Sequence, residues 1–464
     1  MKKIFAVIFA LISLGCFSAN AQKTMEELFP ASFENGLPVG WSISQDPSLP
    51  LMHPCMLHTQ ADIDYTRAHL DQDPWKGSYR KLINSSYCNV NYTASPVKYL
   101  ARLDATNWAS MNQRWINAGL EDEWYEGIHN NYTHFFRDCA AAYQLALKYV
   151  LTDDAEAAEC AIRILNDWAT VNKGLLLGRD AYKDDVIDPN EYLIMFQIHQ
   201  AANAAELLRS YNGWGESDEF LAVVDWLKTY FYPFCSKFLA NNVNDHSWMN
   251  WDLASMTAIL AIGILDNNEA MISEAVNHFK NSQGPGCITG KAVICCEPDP
   301  SGTGVMLAQG NESGRDQGHN TLCGTLLGTF CQMACNVGED LFAYDDYRAV
   351  AFARYIAKYN KVKDGVDPLG TLDADSFKYD ASTLPFRTYT YSGKTMTGIS
   401  DAGRGSVRPG WDIWVGYCRS HGLPTTYLDE YAEQFSPDGG GGNYGLNSGG
   451  FDQLGFSTLM HYRP

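Results

Sequence analysis

The sequence predicts a mainly α protein in which antiparallel helix hairpins stack into a helical toroid, with irregular or short-strand loops at its mouth. Three observations point there. Apolar residues recur at three- and four-residue steps through most of the middle of the chain, the period of an amphipathic helix. The helical stretches are Ala-rich and joined by short polar connections, which suits antiparallel neighbours better than a sheet with crossovers. The 443 residues that follow a 21-residue leader exceed what one compact core usually holds. They call for several domains or for one architecture that grows by repetition, although no strict residue-level repeat is present.

The elements follow in order. Residues 1–21 have the form of a signal peptide: Lys2 and Lys3, an apolar run from Ile4 to Leu14, and Ala19 and Ala21 as an A-x-A cleavage site before Gln22. Cys16 in "SLGC" is a rival lipid-attachment site, but Ser13 stands three residues before it where a leucine is usual. The expectation is a periplasmic or secreted protein, with an outer-surface lipoprotein as the lesser reading. Residues 22–54 are an amino-terminal extension and 55–464 the toroid. Helices are expected over 135–151, 155–171, 190–210, 218–239, 247–265, 268–280, 319–336 and 342–360. Residues 281–310 and 364–410 are punctuated by Gly and Pro and hold short β-branched or aromatic runs, so they are expected as loops or hairpins over one end. The tail "PDGGGGNYGLNSGGFDQLGFSTL" is too Gly-rich for an element interior. Long loops in compact folds tend to carry function.

Composition excludes some partners. The formal charge of −20 disfavours DNA or RNA, which needs a basic stripe. An acidic substrate must be met by a local basic patch acting against the global field. Beyond the leader no segment approaches the roughly 18 apolar residues of a membrane span. Twelve cysteines run from Cys55 to Cys418 without a C-x-x-C pair, so a zinc knuckle is not expected, nor any metal or cofactor. Cys331 and Cys335, one helical turn apart, are simplest as core thiols; an exported chain can still hold one or two disulfides.

Two clusters stand out. In "NVNDHSWMNWDLAS", Asn244 or Asp245 can cap a helix beginning near His246. The positive helix end disfavours the imidazolium there, leaving a neutral ring that accepts a proton or donates to a carboxylate. Asn250 is one turn on, and Trp248 and Trp251 offer flat surfaces that stack on sugar rings. The bland alternative is a capping histidine with core tryptophans. In "NESGRDQGHN", Glu312, Arg315, Asp316 and His319 fall at i, i+3, i+4 and i+7, one face of a helix. Arg315 can grip a carboxylate with Glu312 orienting it, and His319 can carry a proton. Gly314 and Gly318 cost about 1 kcal/mol each in a helix interior, so the first turn can instead be a loop. A surface salt-bridge ladder is the alternative.

A third group, Asn130, His134 and Arg137, would share a helical face beside Tyr132. Asn203, flanked by alanines, either lines a cavity or is a satisfied core amide.

Taken together, "NDHSWMNW", "NESGRDQGHNTLCGTLLGTFCQMACNVGEDLFAYDDYR" and "GGGGNYGLNSGGFDQLGFSTL" resemble the alginate lyase family of polysaccharide lyases. The resemblance runs from about residue 55 to the end and implies an α/α toroid, an incomplete barrel of antiparallel helix hairpins. It implies β-elimination at a uronate in a secreted bacterial glycan lyase acting on an anionic polysaccharide, without a cofactor. Carried over, Asn244 and His246 contact the substrate carboxylate and Arg315 matches the family's active-site arginine. Family members place Asn directly before His, where this chain has Asp245, and a catalytic tyrosine soon after the arginine. No tyrosine lies between Arg315 and Tyr344. Either His319 does the proton work or a loop tyrosine such as Tyr444 enters, with Asn443 beside it as a substrate contact.

Abstraction of H5 from a uronate creates a carbanion next to the C6 carboxylate, and donors must be aimed where that charge develops. Asn244, His246 and Arg315 are the candidates. One strong proton carrier favours a substrate with H5 and O4 syn, such as mannuronate or glucuronate. Two rival readings remain open. A glycoside hydrolase would draw two acids from Asp245, Asp252, Glu312 and Asp316. A non-catalytic glycan-binding protein would use Trp248, Trp251, Trp411 and Trp414.

Overall fold

The computed structural model describes residues 51–100, 131–175, 195–242, 247–441 and 451–464, and the strand pairs β1 (Phe33–Glu34) and β2 (Leu37–Pro38). The leader, Cys16, Asn130, Asn244, Asp245, His246, Asn443 and Tyr444 lie outside these residues.

Helices α1 (Gln60–Arg67) and α2 (Trp75–Ile83) precede the long series. That series runs α3 (Tyr132–Thr152), α4 (Ala155–Val171), α5 (Met195–Leu208), α6 (Asp218–Tyr230), α7 (Tyr232–Asn241), α8 (Met249–Leu265) and α9 (Glu269–Asn281). Each expected helix is present within a few residues, because polar caps set the starts: Asp154, Ser217 and Asn268 accept the N–H groups of Ala157, Phe220 and Met271. The stretch 218–239 is two helices, not one. Pro233, in the first turn of α7, has no N–H to extend the preceding ladder, so the chain breaks at Phe231. The helix expected near His246 begins instead at Met249 behind Trp248, which makes no side-chain cap.

Burial separates an inner from an outer ring. Every residue of α5 and of α8 is buried, whereas α4, α6 and α9 bury one face only. Such all-round burial marks a helix packed on every side. The inner helices neighbour one another in order: α3 with α5, α5 with α8, and α8 with α10 (Gln317–Asn336). Helix α11 (Tyr344–Asn360) packs against α10, and α12 (Asp412–Ser420) continues the ring. After α13 (Leu428–Glu433), the terminal α14 (Ser457–His461) returns to α1 and α2, and α1 rests on α3. Thr66 Oγ1 donates to Leu459 O at 2.9 Å, and Arg463 pairs with Asp62 at 2.7 Å, tying the last helix to the first. The fold is the expected helical toroid.

The two Gly/Pro-punctuated regions form antiparallel hairpins, β3 (Val293–Pro298) with β4 (Met306–Gly310) and β5 (Tyr389–Tyr391) with β6 (Lys394–Met396). All twelve cysteines from Cys55 to Cys418 are free thiols, so the disulfides considered for an exported chain are not formed among them. No helix among the described residues is long and apolar enough to cross a membrane.

A buried carboxyl pair fixes the ring closure. Asp438 accepts from the Thr458 and Ser457 backbone N–H groups at 2.9 and 3.0 Å and from Ser457 Oγ at 2.7 Å. Asp412 takes the Thr458 hydroxyl at 2.7 Å. Burial and the neighbouring Asp438 push Asp412 up to about 7, and burial raises Asp438 as well. A carboxyl whose folded pKa lies above its unfolded value stabilises the fold at low pH, and that contribution is lost as pH rises through the folded value. The melting temperature should therefore fall as the pH rises from about 4 to about 7. Asp412→Asn should flatten that slope, and a slope unchanged in thermal melts would mean that Asp412 does not take up a proton on folding.

Candidate active site

The site is organised by the start of α10. Asp316, in extended conformation, caps the helix by accepting His319 N–H at 2.8 Å, and its second oxygen lies 2.7 Å from His319 Nδ1. Glu312 and Arg315 precede the helix in a tight turn closed by Arg315 N–H on Glu312 O at 2.9 Å. The expected single helical face is thus corrected: the capping aspartate starts the helix only at Gln317, so Glu312 and Arg315 lie ahead of it. The turn nonetheless assembles the four side chains. Arg315 Nη1 lies 3.2 Å from Glu312 Oε2, and Arg315 Nη2 lies 3.3 Å from His319 Nε2.

Partners decide the tautomer. A guanidinium only donates, so Nε2 of His319 faces Arg315 as an acceptor, and Nδ1 carries its hydrogen toward Asp316. The histidine therefore presents a basic nitrogen oriented by a carboxylate, the relation that positions general bases. Burial alone would raise Asp316, but the hydrogen bonds from His319, with the Arg315 charge, hold it below its ordinary value. Burial pushes Glu312 above the usual carboxyl range, with Arg315 pulling back. Side-chain exposure assigns the roles: 28% for Arg315 and 33% for His319, against none for Glu312. Arg315 and His319 meet the solvent; Glu312 supports the arginine from behind.

Of the wall around them the sequence pointed to Trp248 but to neither of the two tyrosines behind it. The Arg315 guanidinium stands over Trp248 at 4.8 Å, and Trp248 packs on Tyr391 at 4.6 Å between centroids. Tyr391 donates its hydroxyl to Ser247 O at 2.6 Å, linking the β5–β6 hairpin to the chain entering α8. Tyr389 donates to Asn311 O at 2.5 Å and accepts Gly314 N–H at 3.1 Å. Burial pushes the Tyr389 phenol up to about 12, so it works as a donor at neutral pH and not as a base. The alternating tyrosines of "FRTYTYSGKTM" were the available signal: period two places Tyr389 and Tyr391 on one side of a strand. Gly314 lies under this hairpin, and a Cβ there would sit 2.6 Å from Met396 Cβ. Gly314→Ala should cost about 1–3 kcal/mol, the range of overpacking, and lower turnover by displacing Arg315. A thermal melt and turnover both unchanged would show that the hairpin does not hold the turn.

Several expected site residues lie elsewhere. Asn203 is a core amide: it accepts Leu57 N–H at 3.1 Å and donates to His199 O at 2.8 Å, and does not line a substrate cleft. Trp251 is buried against Phe196 and offers no sugar platform, because α8 is enclosed on all sides. Asn250 is likewise buried, with its Oδ1 unpartnered. His134 sits half-buried in the first turn of α3, its Nδ1 without a partner, while Arg137 points to solvent. Neither touches the Arg315 cluster. Trp411 and Trp414 are core residues, Trp414 donating to Gly324 O at 3.0 Å, which leaves the binding-protein reading with Trp248 alone. Asp252 is taken up by His278 and the Gly286 N–H, both at 2.9 Å. Of the acids a hydrolase would draw on, Asp252, Glu312 and Asp316 are each held by protein partners.

Comparison with known proteins agrees with this picture. Residues 104–291 match the family model described as alginate lyase. Alginate lyase A1-III, as a histidine-to-alanine variant in apo form, shares the fold with a TM-score of 0.51 at 17% identity, covering 90% of this chain and 98% of that one. The same variant complexed with tetrasaccharide gives 0.50 at 16%, covering 91% and 99%. The protein from Sphingomonas species A1 gives 0.49 at 16%, covering 90% and 99%. No curated protein matches the chain. Family match and fold together support a polysaccharide lyase. More narrowly, they support an alginate lyase family protein. The matched span ends before Asn311, so the roles of Arg315 and His319 rest on their own geometry.

Proposed function

We propose that this protein cleaves a uronate-containing glycan, polymannuronate or glucuronan, by β-elimination. The carrying observation is a part-exposed histidine, His319, whose Nδ1 is held by Asp316 and whose basic Nε2 lies beside an arginine supported by buried Glu312. In this reading Arg315 neutralises the C6 carboxylate, and His246 and Asn244 assist as donors. His319 Nε2 takes H5; the C5–H electron pair forms the C4–C5 double bond; the C4–O4 bond breaks, and O4 receives a proton. With H5 and O4 syn, one side of the sugar serves both transfers. The leader in residues 1–21 supports action in the periplasm or outside the cell, on a polymer too large to enter.

Mass spectrometry of the oligomers released from polymannuronate or glucuronan tests this. Fragments lighter than hydrolytic ones by one water are expected, formed without added metal. Saturated fragments alone would instead establish hydrolysis, and activity abolished by a chelator and restored by calcium would show that charge is neutralised by metal.

A further inference from the structure

Far from this site, three side chains of different chemistry converge on one point. Ligand atoms of His53, Cys55 and Glu206, one from each, lie within 4.8 Å of one another. His53 and Cys55 come from the segment before α1, and Glu206 from the end of α5, 151 residues from Cys55. Glu206 and Cys55 are buried, and His53 keeps 13% side-chain exposure, enough for access from solvent.

We propose that this cluster is a zinc site. The donors are an imidazole nitrogen, a thiolate sulfur and a carboxylate oxygen, the set that zinc takes in tetrahedral geometry with one position left for water. The Cys55 Sγ to His53 Nδ1 distance is 3.7 Å, against roughly 3.6 Å for a tetrahedral edge built from ordinary zinc bond lengths. His53 Nδ1 and Glu206 Oε1, at 2.6 Å, open to roughly 3.3 Å when a metal replaces the proton between them. Binding releases that proton and the Cys55 thiol proton to solvent.

The surrounding contacts are those a metal needs. The other ring nitrogen, His53 Nε2, lies 2.9 Å from Asn267 Oδ1, which leaves Nδ1 as the ligand atom. Arg209 Nε holds the other oxygen of Glu206, Oε2, at 3.2 Å. A nucleophile relay is not served by this arrangement, because Cys55 and Glu206 both address Nδ1 instead of opposite nitrogens.

The site lies at the other end of the ring from Arg315. Asn336, the last residue of α10, donates to Met56 O at 2.6 Å and to Leu57 O at 3.2 Å. His319, in the first turn of the same helix, is about 25 Å away by helical rise. The metal therefore clamps residues 53–55 onto α5 and takes no part in the reaction.

Titration of the metal-free full chain with cobalt(II) tests this. One equivalent should bind and produce the near-ultraviolet thiolate-to-cobalt charge-transfer band. Cys55→Ser should lose the band. Asn267→Gly, which suits the left-handed φ of 52° at this position, should weaken binding about 10–100-fold. Zinc should raise the melting temperature without changing turnover. Absence of the band in the wild-type chain, or its persistence in Cys55→Ser, would overturn the proposal whatever reaction the protein performs.

Discussion

His319→Gln is expected to lower turnover by about a hundredfold or more while leaving substrate binding close to unchanged, as the loss of a general base does. Glutamine keeps the size and polarity of the ring but has no basic nitrogen. Its amide can still donate to Asp316, which now accepts from His319 Nδ1 at 2.7 Å, so the helix start should survive. The cap itself is made by His319 N–H, which the substitution retains. His246→Gln, which preserves a hydrogen-bond donor, should keep more activity than His319→Gln. Steady-state kinetics on the cleaved polymer separates the cases. Normal turnover in His319→Gln together with an inactive Tyr444→Phe would move the proton to the glycine-rich loop and remove His319 from the mechanism.

Arg315→Lys should lose roughly tenfold to a thousandfold in turnover, the range for one missing preorganised donor. A lysine retains the charge but not the planar fork that meets a carboxylate on two parallel bonds. Three further contacts depend on the guanidinium: Glu312 at 3.2 Å, His319 at 3.3 Å and the face of Trp248 at 4.8 Å. An ammonium cannot make all three and still address a substrate. Turnover close to wild type would reduce this arginine to a structural ion pair.

The helices were legible because their information is local. Apolar spacing marks them, and Asp154, Ser217 and Asn268 mark their starts. Spacing does not reveal which face meets a cleft when a helix is buried all round, and this misplaced Trp251 and Asn203. The dense motif at 312–319 was readable as a site, while its local shape was not. Asp316 satisfies both a helical pattern and a cap, and packing of Gly314 under Met396 comes from far along the chain. Tyr389 reaches Asn311 across 78 residues of sequence and Tyr391 reaches Ser247 across 144, pairings that no local pattern encodes.

Short-wavelength ultraviolet absorbance of the unsaturated uronate tests the central claim most directly. Purified protein, wild type and His319→Gln, is to be incubated with polymannuronate, polyguluronate, glucuronan and hyaluronan. A rise with polymannuronate or glucuronan, lost in the variant, is the expected result. New reducing ends without any rise in absorbance, or a rise undiminished in His319→Gln, would contradict it.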